Sequence, residues 1–118
     1  MTLDDARPHI EAALQYSGGT HTFEDIREMV STGRLQFWPG PHSAIVTEII
    51  EYPRQRTLHY FLAGGQMAEL RAMLPEIDAW GRAQGCTSAS LAGRPGWSRS
   101  FLQHEGWSSH LVVMMKEL

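Results

Sequence analysis

Thr57-Leu58-His59-Tyr60-Phe61-Leu62-Ala63, then Gly64-Gly65, then the long segment Gln66–Gln84, is the stretch whose reading decides the fold. Its first seven residues are apolar on both faces, which predicts a strand inside a sheet rather than at its edge. Two glycines follow, and they permit an abrupt turn. Beyond them Met67, Leu70, Met73, Leu74, Ile77 and Trp80 recur at helical spacing, while Glu69, Arg71, Glu76, Asp78 and Arg82 occupy the other faces. Pro75 removes one backbone hydrogen bond from that helix, predicting a kink, and Gly85 ends it. Cys86–Ala92 then predicts a short buried strand. A strand–helix–strand unit of this length implies two parallel strands and a right-handed crossover.

Working toward the N-terminus, Arg34–Trp38 and His42–Glu51 read as strands separated by the rigid turn Pro39-Gly40-Pro41. The second is rich in β-branched residues, and Pro53–Arg56 turns it back into the central strand. Two helices precede this meander. Leu3–Tyr16 carries Pro8, which suits a first helical turn, and ends at Ser17-Gly18-Gly19. Thr22-Phe23-Glu24-Asp25 resembles a capping box that opens a helix with the stripe Phe23, Ile26, Met29 and Val30. Toward the C-terminus, Gly93-Arg94-Pro95-Gly96 leads into an expected helix from Trp97 to His104. Gly106 closes it, and Trp107–Met115 is expected to form a last strand.

The order is α-α-β-β-β-α-β-α-β. It predicts one α/β domain over residues 1–118: a mixed sheet, antiparallel meander first and parallel pair second, with helices on both faces. Ile45, Ile49, Leu58, Tyr60, Leu62, Leu70, Leu74, Ile77, Leu91, Phe101 and Val112 are the expected core.

Composition narrows the function classes. With 118 residues, 42% hydrophobic and 19% charged, the chain suits one globular core. A net charge of −3, with one lysine and nine dispersed arginines, gives no basic field for nucleic acid. Cys86 stands alone, so no disulfide framework or CxxC cluster can form, and the six histidines show no metal-ligand spacing. The start, with Asp4 and Asp5, lacks the basic and apolar regions of a signal peptide. No apolar run approaches the roughly 20 residues of a membrane span. A cytoplasmic location, without a membrane span, is the expectation.

The last third carries a motif. Phe101-Leu102-Gln103-His104-Glu105-Gly106-Trp107 resembles the helix-ending pattern F-Y-x-x-x-G-F of the GNAT (N-acetyltransferase-like) superfamily, and the element order from Thr22 onward is similar to that family's. The family's first strand has no counterpart here. Four stretches resemble small phage- or prophage-encoded GNAT-like proteins, some of them internal virion proteins: Leu35-Gln36-Phe37-Trp38-Pro39-Gly40, Ser43–Ile49, Phe61–Gly65 and Gly93–Trp97. That resemblance implies a non-catalytic or weakly active protein of a virion or its assembly, binding a phage or host protein or a second copy of itself. The broader resemblance implies the alternative, an N-acetyltransferase moving an acetyl group from acetyl-coenzyme A to an amine. Weak binding of acetyl-coenzyme A, and no metal, are the cofactor expectations.

Two departures bear on that choice. The family's Q/R-x-x-G-x-G/A loop, whose backbone N–H groups cradle the coenzyme pyrophosphate, has shrunk here to Ala63-Gly64-Gly65-Gln66. The tyrosine that many members use as general acid is Leu102 in this chain. Candidate cofactor contacts are Ala63, Gly64, Gly65, Gln66 and Arg94, the last placed with Arg99 at the carboxyl edge of the sheet, where two helix N-termini are expected to converge. A tight β–α turn and an exposed loop arginine are the plainer readings of those residues. Glu48 and His59 are the acid–base candidates within the strands. Alternation alone leaves open whether they share a face.

Overall fold

In the computed structural model, which describes residues 1–118, four strands lie in chain order in one sheet. They are β1 (Gln36–Pro39), β2 (Ser43–Glu51), β3 (Arg56–Gly65) and β4 (Ser88–Leu91). β1 pairs antiparallel with β2, and β2 antiparallel with β3. β3 pairs parallel with β4, bridged by the helix Met67–Ala83. The mixed sheet and its crossover are those expected from the apolar strand, the double glycine and the amphipathic helix.

The helices are α1 (Arg7–Leu14), α2 (Phe23–Ser31) and α3 (Met67–Ala83). Pro8 occupies the first turn of α1, where its missing N–H costs nothing. At α2 the capping box is formed: the Thr22 hydroxyl accepts from the Asp25 N–H, and the Asp25 carboxylate accepts from the Thr22 N–H at 2.8 Å. That reciprocal pair satisfies two backbone donors left over at the helix start.

α1 and α2 cover one face of the sheet, where Ala6, Ile10, Phe23 and Ile26 pack with Leu35, Ala44, Val46 and Leu62. α3 covers the other, joining Leu70 and Ile77 to Ile45, Leu58 and Tyr60. β3 serves both cores, and its alternation is broken once. The β2–β3 register shifts between Val46, opposite Leu62, and Thr47, opposite Tyr60, so Phe61 is an extra residue, a β-bulge. Leu58 and Tyr60 therefore face α3, whereas Leu62 faces α1 and α2.

The C-terminal quarter departs from expectation. The expected helix Trp97–His104 is two short 3-10 segments, Pro95–Arg99 and Phe101–His104. The expected strand Trp107–Met115 does not form, and residues 107–118 carry no helix or strand. β4 stops after four residues at Leu91, where Gly93, Pro95 and Gly96 follow, so little strand edge is available to continue the sheet. Val112, expected in the core, is accordingly 84% exposed, within the apolar and largely exposed run Leu111–Met115. Within that stretch Trp107 lies edge-on to the Tyr60 ring at 5.9 Å, and the Met115 side chain rests against Gly18. Ile49, Leu74, Leu91 and Phe101 are half-buried; the other six named residues are buried. No helix is long and apolar enough to cross a membrane.

Ile77 is 1% exposed at the centre of the α3 face. Ile77→Ala should cost about 2–5 kcal/mol in chemical denaturation, whereas Val112→Ala should stay within about 0.5 kcal/mol. Equal losses from the two would contradict the placement of the tail.

Candidate functional site

β4 pairs with β3 only from Thr57–Ser88 to Tyr60–Leu91. β3 runs on to Gly65, so its edge from Phe61 to Gly65, on the side away from β2, has no strand partner. The two parallel strands thus part immediately after Tyr60, at the bulge. Crevices at the carboxyl ends of parallel strands are the usual ligand sites of α/β sheets, and bulges are enriched beside active sites.

Just below that vertex, three side chains stand in line across three strands. Glu48 is the register partner of His59, and His59 that of Ser90. Register partners share a face, so the question that alternation left open is answered: Glu48 and His59 lie side by side on the face that α1 and α2 cover farther up. The His59 Nδ1 and the Ser90 hydroxyl are 2.9 Å apart. Burial pushes the His59 pKa below its ordinary 6.5, and the Glu48 carboxylate opposes that shift. His59 is consequently neutral at pH 7 and able to accept a proton. The next rung down repeats the arrangement without a titratable group, with the Thr57 and Ser88 hydroxyls 2.8 Å apart.

Ser90 was not among the residues singled out from the sequence. A signal was present: within Cys86–Ala92, Ser88 and Ser90 alternate with apolar positions, marking one polar face of a short strand. Its meaning depends on the pairing register, which composition does not reveal.

The turn from β3 into α3 is already occupied by the protein itself. A Cβ on Gly64 would lie 2.3 Å from the His9 carbonyl oxygen of α1, and one on Gly65, whose φ is +120°, 2.4 Å from the His42 carbonyl oxygen. Both glycines are therefore required by packing against neighbouring backbone. The Gln66 N–H donates to the Ser43 hydroxyl at 3.0 Å, and that hydroxyl donates to Glu69 at 2.9 Å. Glu69, in the first turn of α3, also accepts from the His42 N–H at 2.8 Å. That backbone hydrogen bond is the largest cause holding its carboxyl below the usual range. An internal carboxylate thus occupies the positive end of α3, where an anionic ligand would be expected.

Arg94 does not reach this turn. Its guanidinium lies 4.2 Å from the centre of the Tyr16 ring, just beyond α1. The anticipated second helix N-terminus is absent too, since a five-residue 3-10 segment follows Arg94. Leu102 is buried and apolar. The tyrosine nearest the vertex, Tyr60, donates its hydroxyl to Asp78 at 2.5 Å, and burial together with that bond pushes its pKa far up. Its proton is committed to Asp78. A cavity of about 380 Å³ beside α2, lined by His21, Asp25, Glu28 and Arg34 among others, lies apart from this site. No group of three His, Cys, Asp or Glu side chains is arranged to hold a metal ion.

Comparison with known proteins addresses the fold. No family model matches the sequence, and no curated protein matches it. Solved structures do. The chain is similar to the aminoglycoside N-acetyltransferase AAC(6')-Iy in complex with coenzyme A, with 13% identity over 98% of this chain and 88% of that one, at a TM-score of 0.72. It is similar to a GCN5-related N-acetyltransferase from Ralstonia eutropha JMP134, with 16% identity over 98% and 92% of the two chains, at a TM-score of 0.66. It is also similar to glucosamine-6-phosphate N-acetyltransferase from Arabidopsis thaliana, with 15% identity over 99% and 94%, at a TM-score of 0.64. At these identities the likeness is one of fold: the chain has a GNAT-like fold, as its element order led us to expect.

The glycine analysis generates its own test. Gly64→Ala should destabilise by on the order of 1–3 kcal/mol, because the His9 carbonyl must move. Gly96→Ala, with nothing within 4 Å of the added carbon, should be nearly neutral. A neutral Gly64→Ala would mean that the turn is not closed by α1.

Proposed function

We propose that the protein is an acyltransferase of the N-acetyltransferase type, moving an acetyl group from a thioester to an amine at the vertex between β3 and β4. The observation that carries this reading is His59, neutral and half-buried beside Glu48, one residue before the two strands separate. A base for an incoming amine must be unprotonated at the working pH and must have access to the reacting atom. His59 meets the first condition through burial and the second through its place beside the crevice.

Acetyl-coenzyme A would supply the activated thioester. The residues suit one end of it. The unpartnered edge of β3 over Phe61–Gly65 offers backbone groups to an extended, amide-bearing arm and to a carbonyl oxygen gathering negative charge. The other end has no cradle: Gly64 and Gly65 face protein backbone, the Gln66 N–H is engaged, and Glu69 repels phosphate. Affinity for the whole coenzyme is accordingly weak in this reading. His59 takes the proton from the amine, Glu48 favours the imidazolium so formed, and the buried Leu102 contributes shape but no proton.

A second reading, a non-catalytic protein-binding component, draws on the carboxylate at the start of α3, the apolar Leu102 and the exposed run Leu111–Met115. Turnover separates the two.

An acetyl-transfer assay against polyamines, peptides and small amines should show activity at high acetyl-coenzyme A concentration, reduced about 10²–10⁴-fold in His59→Ala. The rate should fall with decreasing pH only below the ordinary histidine value of 6.5, since the folded pKa is depressed. Glu48→Gln should move that acid limb lower still, because it removes the charge that raises the pKa. Activity indifferent to His59→Ala would reject the assignment, and absence of any turnover would favour the second reading.

A further inference from the structure

Main-chain hydrogen bonding stops at Trp107, whose N–H donates to the Leu102 carbonyl, and the residues Ser108–Leu118 make no main-chain bond at all. The one polar contact within that run joins the side chains of Ser108 and His110 at 2.9 Å. Its apolar centre is also its most exposed part. Leu111, Val112, Val113, Met114 and Met115 are each between 68% and 89% exposed, and from Trp107 to Met115 there is no Asp, Glu, Lys or Arg. An uncharged run rich in strand-forming residues, with its N–H and C=O groups free, is a template for pairing with another chain.

The sheet edges of this molecule match that run poorly. β1 and β4 are the edge strands, with four residues each, and β1 ends in Pro39, which has no N–H to give. The open edge of β3 ends in Gly64 and Gly65, both packed on neighbouring backbone. The segment that matches the run in length, in free backbone groups and in lack of charge is the same run on a second copy.

We propose that the protein forms a two-fold dimer in which Ser108–Leu118 of the two copies pair as antiparallel strands. Identical segments related by a two-fold axis across their pairing run antiparallel. Val113 is the midpoint both of Ser108–Leu118 and of the apolar stretch Leu111–Met115. A register centred there sets Val113 opposite the partner's Val113, a favourable β-branched pair, and Leu111 opposite the partner's Met115. Leu111, Val113 and Met115 then share a face. Met115 already rests against Gly18, two residues past Tyr16, which is 57% exposed, so this face closes over the end of α1 in each copy. A two-stranded ribbon alone is marginal in water, and the α1 ends give it the apolar support it needs. The contact is small, at or below roughly 1,200 Å² of total buried surface, so a weak, micromolar dimer is expected.

The test is sedimentation of the full chain from about 1 to about 100 µM, over which monomer should give way to dimer. Val113→Asp and Val113→Lys each place like charges directly opposite one another and should weaken self-association at least about tenfold. Their circular dichroism should match the wild type, because residue 113 is exposed. Mixing the two variants makes the opposed charges unlike, and should give a heterodimer at least about tenfold tighter than either variant alone. On mild oxidation Val113→Cys should form an interchain disulfide. Leu111→Cys, facing the partner's Met115, should not, nor should the wild type, whose one cysteine is the half-buried Cys86. A wild type that stays monomeric throughout would overturn the proposal; if that monomer floats with phosphatidylcholine vesicles, the run belongs to a lipid surface instead. Dimers indifferent to charge at position 113, or not restored by mixing, would also overturn it. So would a disulfide through Leu111→Cys in place of Val113→Cys.

Discussion

The extra residue in β3, Phe61, is the constraint on which the rest of the structure depends. A strand with unbroken alternation would send Leu58, Tyr60 and Leu62 to the same face. The bulge sends Leu62 to the α1/α2 side while Leu58 and Tyr60 stay with α3, so it decides which core each of these large side chains joins. It also sits where β4 leaves off. Below it the sheet is paired on both sides of β3. Above it one edge is open, and α1 approaches so closely that only glycine fits at position 64. Core packing, the crevice and the closed β–α turn are therefore connected through one irregularity in hydrogen bonding.

The sheet and its three long helices were legible because their signals are local and redundant. The apolar central strand, the Thr22–Asp25 capping box, Pro8 at a first turn and the α3 stripe each encode a choice that tertiary contacts only ratify. The C-terminal quarter was not legible in the same way. Trp107–Met115 has the composition of a strand, but a strand needs an edge to pair with, and that edge lies more than fifteen residues away in β4, which ends after four residues. Trp97–His104 reads as helix by its closing glycine, yet it is held as two tight 3-10 turns, with the Ser98 and Ser100 hydroxyls donating to the carbonyls of Pro95 and Trp97. Serine competing for nearby carbonyls is a recognised alternative to regular helix.

The site divides similarly. Glu48 and His59 could be named as titratable residues in strands, but their juxtaposition, and Ser90 as the third member, follow from register. Register is a property of pairs of strands. The bulge is less visible still, since nothing in Tyr60-Phe61-Leu62 distinguishes the extra residue from its neighbours. Gly64 and Gly65 illustrate the opposite case. Their conformational role was evident, and their partner was not: the space a side chain would have filled belongs to α1 and to the start of β2 rather than to a ligand.

Glu69 gives the molecule a character beyond the loss of a phosphate cradle. Its carboxylate ties the start of α3 to His42 and Ser43, so the charge is held in place by backbone and hydroxyl donors rather than left to swing into solvent. Phosphate esters are abundant competitors for any open helix N-terminus. A helix start that carries its own fixed anion disfavours all of them at once, and it does so without a moving part. Crowding by such metabolites would weigh little on this end of α3, where the position they seek is already held by the protein's own carboxylate.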